Sequence, residues 1–187
     1  MKITELSLPG IRILEPTYFE DYRGYYCETY SKQTFHEIGI DVEFVQDNHF
    51  LSMKRGTIRG IHFQNAPYAQ SKLIRCTRGS LLDIAVDLRK GSATYKKWIS
   101  VVLSAENRKQ LYIPKGFGHA CMALQDMTEG QYKVDCLYTS AYDRSIAWND
   151  PEIRIEWPDI KVILSPKDKQ APLLKDSDIN FVWSDKE

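Results

Sequence analysis

Leu82-Asp83-Ile84-Ala85-Val86-Asp87-Leu88 alternates large apolar residues with small or acidic ones at a period of two. That is the pattern of a β-strand rather than a helix. Moving outward, Trp98-Ile99-Ser100-Val101-Val102-Leu103 and Gln110-Leu111-Tyr112-Ile113 are further short apolar runs, and residues 131–138 alternate again. Turn chemistry separates them: Gly79, Lys90-Gly91-Ser92, Ala105-Glu106-Asn107 and Pro114-Lys115-Gly116. Helical signals are few. Ser31 is a plausible N-cap for a segment ending at Gly39, and Ser165-Pro166 opens a second short one. Many short strands with turn signals about every ten residues predict a β-sandwich or barrel with a few short peripheral helices.

The bulk numbers bound the problem. A chain of 187 residues, 43% hydrophobic and 27% charged, fits one globular domain, residues 1–187, with a real core. Lys plus Arg equals Asp plus Glu at 25 each, so net charge points to neither nucleic acid nor an anionic membrane. Local basic residues can still hold a small anion. The four cysteines, Cys27, Cys76, Cys121 and Cys136, form no C-x-x-C pair. Residues 1–6 contain no apolar leader, and no stretch approaches a membrane span. The expectation is a soluble cytoplasmic protein with reduced, mostly buried thiols. Neither G-x-G-x-x-G nor G-x-x-x-x-G-K-[ST] occurs, which argues against Rossmann and P-loop enzymes.

Chemistry enters at Ile58-Arg59-Gly60-Ile61-His62-Phe63-Gln64, followed by Lys72. A neutral imidazole takes a proton and an ammonium stabilises the charge left behind. A hairpin folded about Pro67 would set His62 opposite Lys72 on one face. That arrangement predicts proton abstraction beside a carbonyl, with Lys72 at the forming enolate oxygen. His49 and His119 also fall in polar strand or turn segments, whereas His36 lies in an exposed helical one.

Nine stretches in order resemble the dTDP-4-dehydrorhamnose 3,5-epimerase family of cupin-like jelly rolls: DYRGYYCE (21–28), FVQDN (44–48), IRGIHFQ (58–64), QSKL (70–73), DIAVDLR (83–89), LSAEN (103–107), IPKGFGH (113–119), WNDP (148–151) and LSPKD (164–168). The resemblance implies an all-β, cupin-type jelly-roll sandwich. It implies a cofactor-independent isomerase that inverts C3 and/or C5 of a nucleotide-linked 4-keto-6-deoxy sugar through an enolate. In that reading His62 is the base, Asp168 orients it, Lys72 stabilises the enolate, and Tyr132 returns a proton to the opposite face. Without the resemblance, Asp168 reads as a first-turn helix acid.

Substrate binding is implied in the same way. Arg23, Arg59 and Lys167 resemble ligands of the nucleotide sugar, with the diphosphate suited to the arginines. Glu28, Gln46 and Asn48 match positions at the nucleotide end, Tyr26 and Tyr138 are candidates for base stacking, His119 lies near the sugar, and Asp143 matches an acidic binding position. The partners implied are a dTDP-sugar and a second copy in a homodimer, with no nucleic acid and no membrane.

Three features complicate the picture. Tyr132 and Tyr138 on one ideal strand lie roughly 20 Å apart, which fits only an elongated ligand. Arg59 and His62 have opposite parity, so a bulge near Gly60 is required if both reach the ligand. Cys121 stands where the family usually has Phe, which points to a bulkier substrate, inversion at one carbon, or compensated packing. The segment 114–119 resembles the second cupin motif, but the first motif's H-x-H is missing, so no metal is expected. The alternatives are a single-centre epimerase or isomerase of a related keto sugar, a non-catalytic sugar-binding cupin, and a metal-dependent cupin dioxygenase.

Overall fold

The structure, a computed structural model, describes residues 1–184. A six-stranded sheet runs β1 (Lys2–Glu5), β2 (Arg12–Glu15), β10 (Gln110–Ile113), β7 (Lys72–Arg78), β12 (Thr128–Val134) and β5 (Gln46–Ser52). A five-stranded sheet runs β13 (Asp143–Ser145), β6 (Ile58–Gln64), β11 (Phe117–Ala123), β8 (Ser80–Asp87) and β9 (Trp98–Ser104). All these strand pairs are antiparallel. The all-β jelly-roll expectation is met: among the described residues, helices occur only at α1 (Lys32–Glu37) and α2 (Pro166–Lys169) and in two 3₁₀ turns. Ser31 caps α1 and Ser165 caps α2, as their sequences predict.

Side-chain parity sorts the core into layers. Ile74, Cys76 and Leu111 of one sheet meet Leu81, Ala85, Phe117 and Cys121 of the other inside the sandwich. Leu82, Ile84 and Val86, on the opposite face of β8, pack outward against Ile146, Ile153, Leu174 and Phe181 of the C-terminal segment. Full burial of a side chain such as Ile84 or Val86 stabilises by about 1.5–3 kcal/mol. Phe35 and Ile40 cover Leu14, Leu73 and Tyr112 on the outer face of the six-stranded sheet. β8 is therefore covered on both faces. Its small and acidic positions, Asp83 and Ala85, point into the sandwich, where an alternating strand ordinarily points them to water.

The predicted hairpin about Pro67 does not form. β6 and β7 belong to different sheets, and residues 65–71 carry the chain across from one to the other. His62 instead stands opposite His119 and Ser145, and Lys72 opposite Ile113 and Val134. The predicted strand 131–138 also ends early, at Val134, where the Asp135 carboxylate accepts the Ser71 amide at 2.7 Å. Tyr138 lies beyond it, so the single-strand spacing of Tyr132 and Tyr138 does not apply.

The bulge near Gly60 is present. The register pairs His62 with His119 and Arg59 with Cys121, leaving Gly60 and Ile61 together opposite Ala120. Gly60 has φ +116°, and a Cβ there would run into the His119 carbonyl oxygen and Ala120. Only glycine meets both demands.

A separate hairpin of β3 (Tyr18–Asp21) and β4 (Gly24–Cys27) belongs to neither large sheet. Arg108 holds its base: the guanidinium lies 4.7 Å from the Tyr18 ring and 4.2 Å from the Tyr25 ring, and pairs with Glu20.

Candidate active site

One end of the sandwich interior is polar rather than apolar. A cavity of about 740 Å³ opens there, lined by side chains of both sheets and of the segment around α2. That is ample for a small-molecule ligand. β6 contributes Arg59 and His62, β7 Lys72, β11 His119 and Cys121, β12 Tyr132, β5 Asn48 and Phe50, and β13 Asp143. His62 and Tyr132 thus project from opposite sheets into one space. His62 and Lys72 converge as expected, but across the sandwich rather than across a hairpin.

His62 Nε2 lies 2.6 Å from Asp168 Oδ1. Asp168 is buried in the first turn of α2, where it is at once a helix acid and a hydrogen-bond partner of His62. Burial raises its pKa, but hydrogen bonds from His62 and Ser165 outweigh that and bring it below the usual carboxylate value. An ionised Asp168 requires the proton of neutral His62 on Nε2, leaving the lone pair on Nδ1. Burial lowers the imidazole pKa, and the Asp168 charge only partly offsets it. The ring is therefore neutral and basic near pH 7.

Lys72 is buried, and desolvation brings its ammonium down to about 8, with Asp83 and Asp143 favouring the charge. Its Nζ lies 5.8 Å from the centre of the Tyr132 ring. Burial, reinforced by Cys121, raises the Tyr132 phenol above its ordinary value, so it keeps its proton. Burial also pushes the Cys121 thiol up, which keeps it protonated and unreactive.

A second imidazole–carboxylate pair lies alongside. His119 Nε2 is 3.0 Å from both oxygens of Asp83, which is fully buried. Nothing in the sequence singles Asp83 out. Its placement on an alternating strand reads as solvent-facing until both faces of β8 are known to be covered. Ser165, bonded to Asp168, reads in sequence only as a cap.

At the mouth, Asp143 accepts from Lys167 Nζ at 2.6 Å and from the Tyr138 hydroxyl at 3.1 Å. Gln46 donates to Asn48 Oδ1 at 2.8 Å and accepts from the Tyr138 amide at 3.2 Å. The Asn48 Nδ2 is buried with no partner among the described residues, leaving a donor for a ligand. Arg59 is held by the Leu51 carbonyl at 3.0 Å and lies 5.0 Å from the Phe50 ring centre.

Four expected binding residues do not line this cavity, although Gln46 bonds Asn48 and Tyr138, which do. Arg23 sits at the tip of the β3–β4 hairpin, paired with Asp21 at 2.6 Å. Tyr26 is 72% exposed, and Glu28 accepts from the Thr34 hydroxyl at 3.0 Å. A smaller cavity of about 300 Å³ lies against the six-stranded sheet. Its charged side chains already have partners there: Arg75 donates to Gln131 Oε1 at 2.7 Å, and Lys133 pairs with Asp47. Among the described residues, no three His, Cys, Asp or Glu side chains are grouped to hold a metal ion.

Comparison with known proteins identifies the family. The family model for dTDP-4-dehydrorhamnose 3,5-epimerase matches residues 5–176. The dTDP-4-dehydrorhamnose 3,5-epimerase of Sinorhizobium fredii is 45% identical over 184 residues, covering 98% of this chain and 94% of the relative. The crystal structure of the Bacillus anthracis dTDP-4-dehydrorhamnose 3,5-epimerase, with TDP and PPi bound, superposes with a TM-score of 0.90 at 45% identity, covering 92% of this chain and 99% of that one. A Legionella pneumophila dTDP-6-deoxy-D-glucose-3,5-epimerase in complex with dTDP-4-keto-L-rhamnose gives a TM-score of 0.93 at 37% identity, covering 98% and 99%.

Proposed function

This chain belongs to the dTDP-4-dehydrorhamnose 3,5-epimerase family, and from that premise we propose that it inverts carbons flanking the ketone of a dTDP-linked 4-keto-6-deoxy sugar, with its own side chains supplying every proton transfer. The observation that carries the reading is the convergence of His62 and Tyr132 from opposite sheets on one cavity beside a buried Lys72. Inversion at a planar carbon needs a base on one side and an acid on the other, and this arrangement provides both.

His62 Nδ1 removes a proton next to the ketone. Asp168 holds the ring by Nε2 and stabilises the imidazolium that forms. The Lys72 ammonium faces the charge developing on the ketone oxygen; in a dry cavity that attraction is much stronger than in water. The Tyr132 phenol then protonates the enolate from the far side. Once His62 has released its proton to solvent and Tyr132 has taken one up, repeating the cycle at the second flanking carbon inverts both.

Arg59 and Lys167 meet the diphosphate, His119 the sugar, and Gln46, Asn48 and Tyr138 the nucleotide end, with Asp143 tying Lys167 and Tyr138 together. Arg23, Tyr26 and Glu28 lie away from this chain's cavity, so the reading includes a homodimer in which the β3–β4 hairpin reaches the partner's site. The exposure of Phe19, Tyr22, Tyr25 and Tyr26 on that hairpin supports it. A cytoplasmic setting is part of the same proposal, supported by four free cysteines. No helix among the described residues is long and apolar enough to cross a membrane.

The test is incubation with dTDP-4-keto-6-deoxyglucose in deuterated water, followed by NMR. Deuterium at C3 and C5 with inversion of both is the expected result. Label at one carbon alone makes the protein a single-centre epimerase, and absence of label in a folded protein that binds the sugar nucleotide overturns the catalytic reading.

A further inference from the structure

We propose that Ser165 is a positioning residue of the proton-abstracting pair, its hydroxyl fixing the Asp168 carboxylate so that one oxygen is always turned to His62. This rests on the reading of His62 as the base.

The hydroxyl makes two bonds at once. It accepts from the Asp168 backbone amide at 3.1 Å, which is ordinary helix capping. It also donates to Asp168 Oδ2 at 2.7 Å, which capping does not require. His62 occupies the other oxygen, Oδ1, at 2.6 Å. The two oxygens therefore have different donors, on different segments, and the carboxylate cannot rotate without losing both. Asp168 is buried, with 3% of its side chain exposed, so bulk water is poorly placed to replace a lost donor.

The location makes such a restraint useful. α2 has only four residues, too few for a helix to be stable by itself. Two of its side chains tie it to the sheet: Lys167 pairs with Asp143 of β13, and Asp168 bonds His62 and is also favoured as an anion by the Gly60 amide. Without the Ser165 hydroxyl, the carboxylate loses one of the donors favouring its charged form. It becomes freer to turn from the ring, and the imidazolium loses support when it forms.

Ser165→Ala, Ser165→Gly and Ser165→Thr separate positioning from capping. Glycine is a serviceable cap and alanine a poor one, yet both lack the hydroxyl, whereas threonine keeps it. With dTDP-4-keto-6-deoxyglucose, the expected result is a loss of about tenfold in kcat and in deuterium exchange for both Ala and Gly. KM should stay within about twofold, and the acid limb of the pH profile should move to lower pH. Thr restores activity. Gly at wild-type kcat with Ala impaired means the residue only caps the helix, and the proposal is overturned. Unchanged kcat and an unmoved acid limb in both variants overturn it too. If Ala does not fold, the Gly and Thr pair carries the same comparison.

The His62→Asn background distinguishes this failure from failure of the underlying reading. There Ser165→Gly should cause no further loss of residual exchange. Full exchange in His62→Asn alone shows instead that His62 is not the base.

Discussion

His119 stands directly opposite His62 in the register of the two strands, and each imidazole is bonded to a carboxylate from a different element. The His62 side chain is 30% exposed and its partner sits outside the sheet. The His119 side chain is 11% exposed and its partner lies in the neighbouring strand. Proton transfer from substrate and then to solvent needs access, which favours His62. His62→Ala is expected to lower deuterium exchange by about 10² or more, whereas His119→Gln should raise KM and retain readily measured exchange. Isotope exchange followed by NMR in both variants checks this, and the reverse order would transfer the base role to His119.

Tyr132→Phe should divide the reaction. The ring and its packing against Phe50 remain, and His62 and Lys72 can still form an enolate. Label should enter from solvent while inverted product forms at least about tenfold more slowly, because a group on one face cannot deliver a proton to the other. One NMR time course following label and configuration together suffices. Inversion at the wild-type rate would pass the acid role to another donor, such as Tyr138 or bound water.

The pH profile of kcat/KM should be a bell. His62 must be neutral, and burial lowers its pKa, so the acid limb should fall below pH 6.5. Lys72 must be charged, and burial brings it down to about 8, so activity should fall as pH rises through that value. The phenol of Tyr132 is raised and stays protonated across this range. In Lys72→Arg the guanidinium does not titrate. Whatever activity that variant keeps should lack the basic limb near 8, and persistence of the limb would assign it to another group.

Gly60→Ala should destabilise the fold by about 3 kcal/mol or more, from the left-handed backbone and the collision with the facing strand together. Urea unfolding measures it. A loss below about 0.5 kcal/mol would mean that the bulge relaxes easily.

Much of this is legible in the sequence. Residues 58–64 and 110–113 read as strands and are strands, and the opposite parity of Arg59 and His62, once both are expected at the ligand, calls for the bulge that β6 contains. Distance along the chain hides the rest. Asp168 lies 106 residues from His62, and no local pattern links them; only the family resemblance does. The Pro67 hairpin fails because a turn between two strands does not reveal that the second joins the other sheet. Tyr138 falls off its expected strand because a side-chain acceptor, Asp135, stops the strand while the alternation of residue types runs on. Asp83 escapes notice because an acid in an alternating strand reads as surface until its neighbours in space are known.

The extra residue at Gly60–Ile61 also means that the site is partly written as a count. Beyond that point every side chain of β6 faces the way it does because one residue stands out of register. Delete one, and the imidazole turns away from the cavity toward Ile84 and Phe181. Over generations this seven-residue strand can exchange letters far more readily than it can gain or lose one, whereas an insertion in the connection at 88–97 reverses no catalytic side chain. Descent with changes of length should therefore leave its marks in the loops and spare this strand.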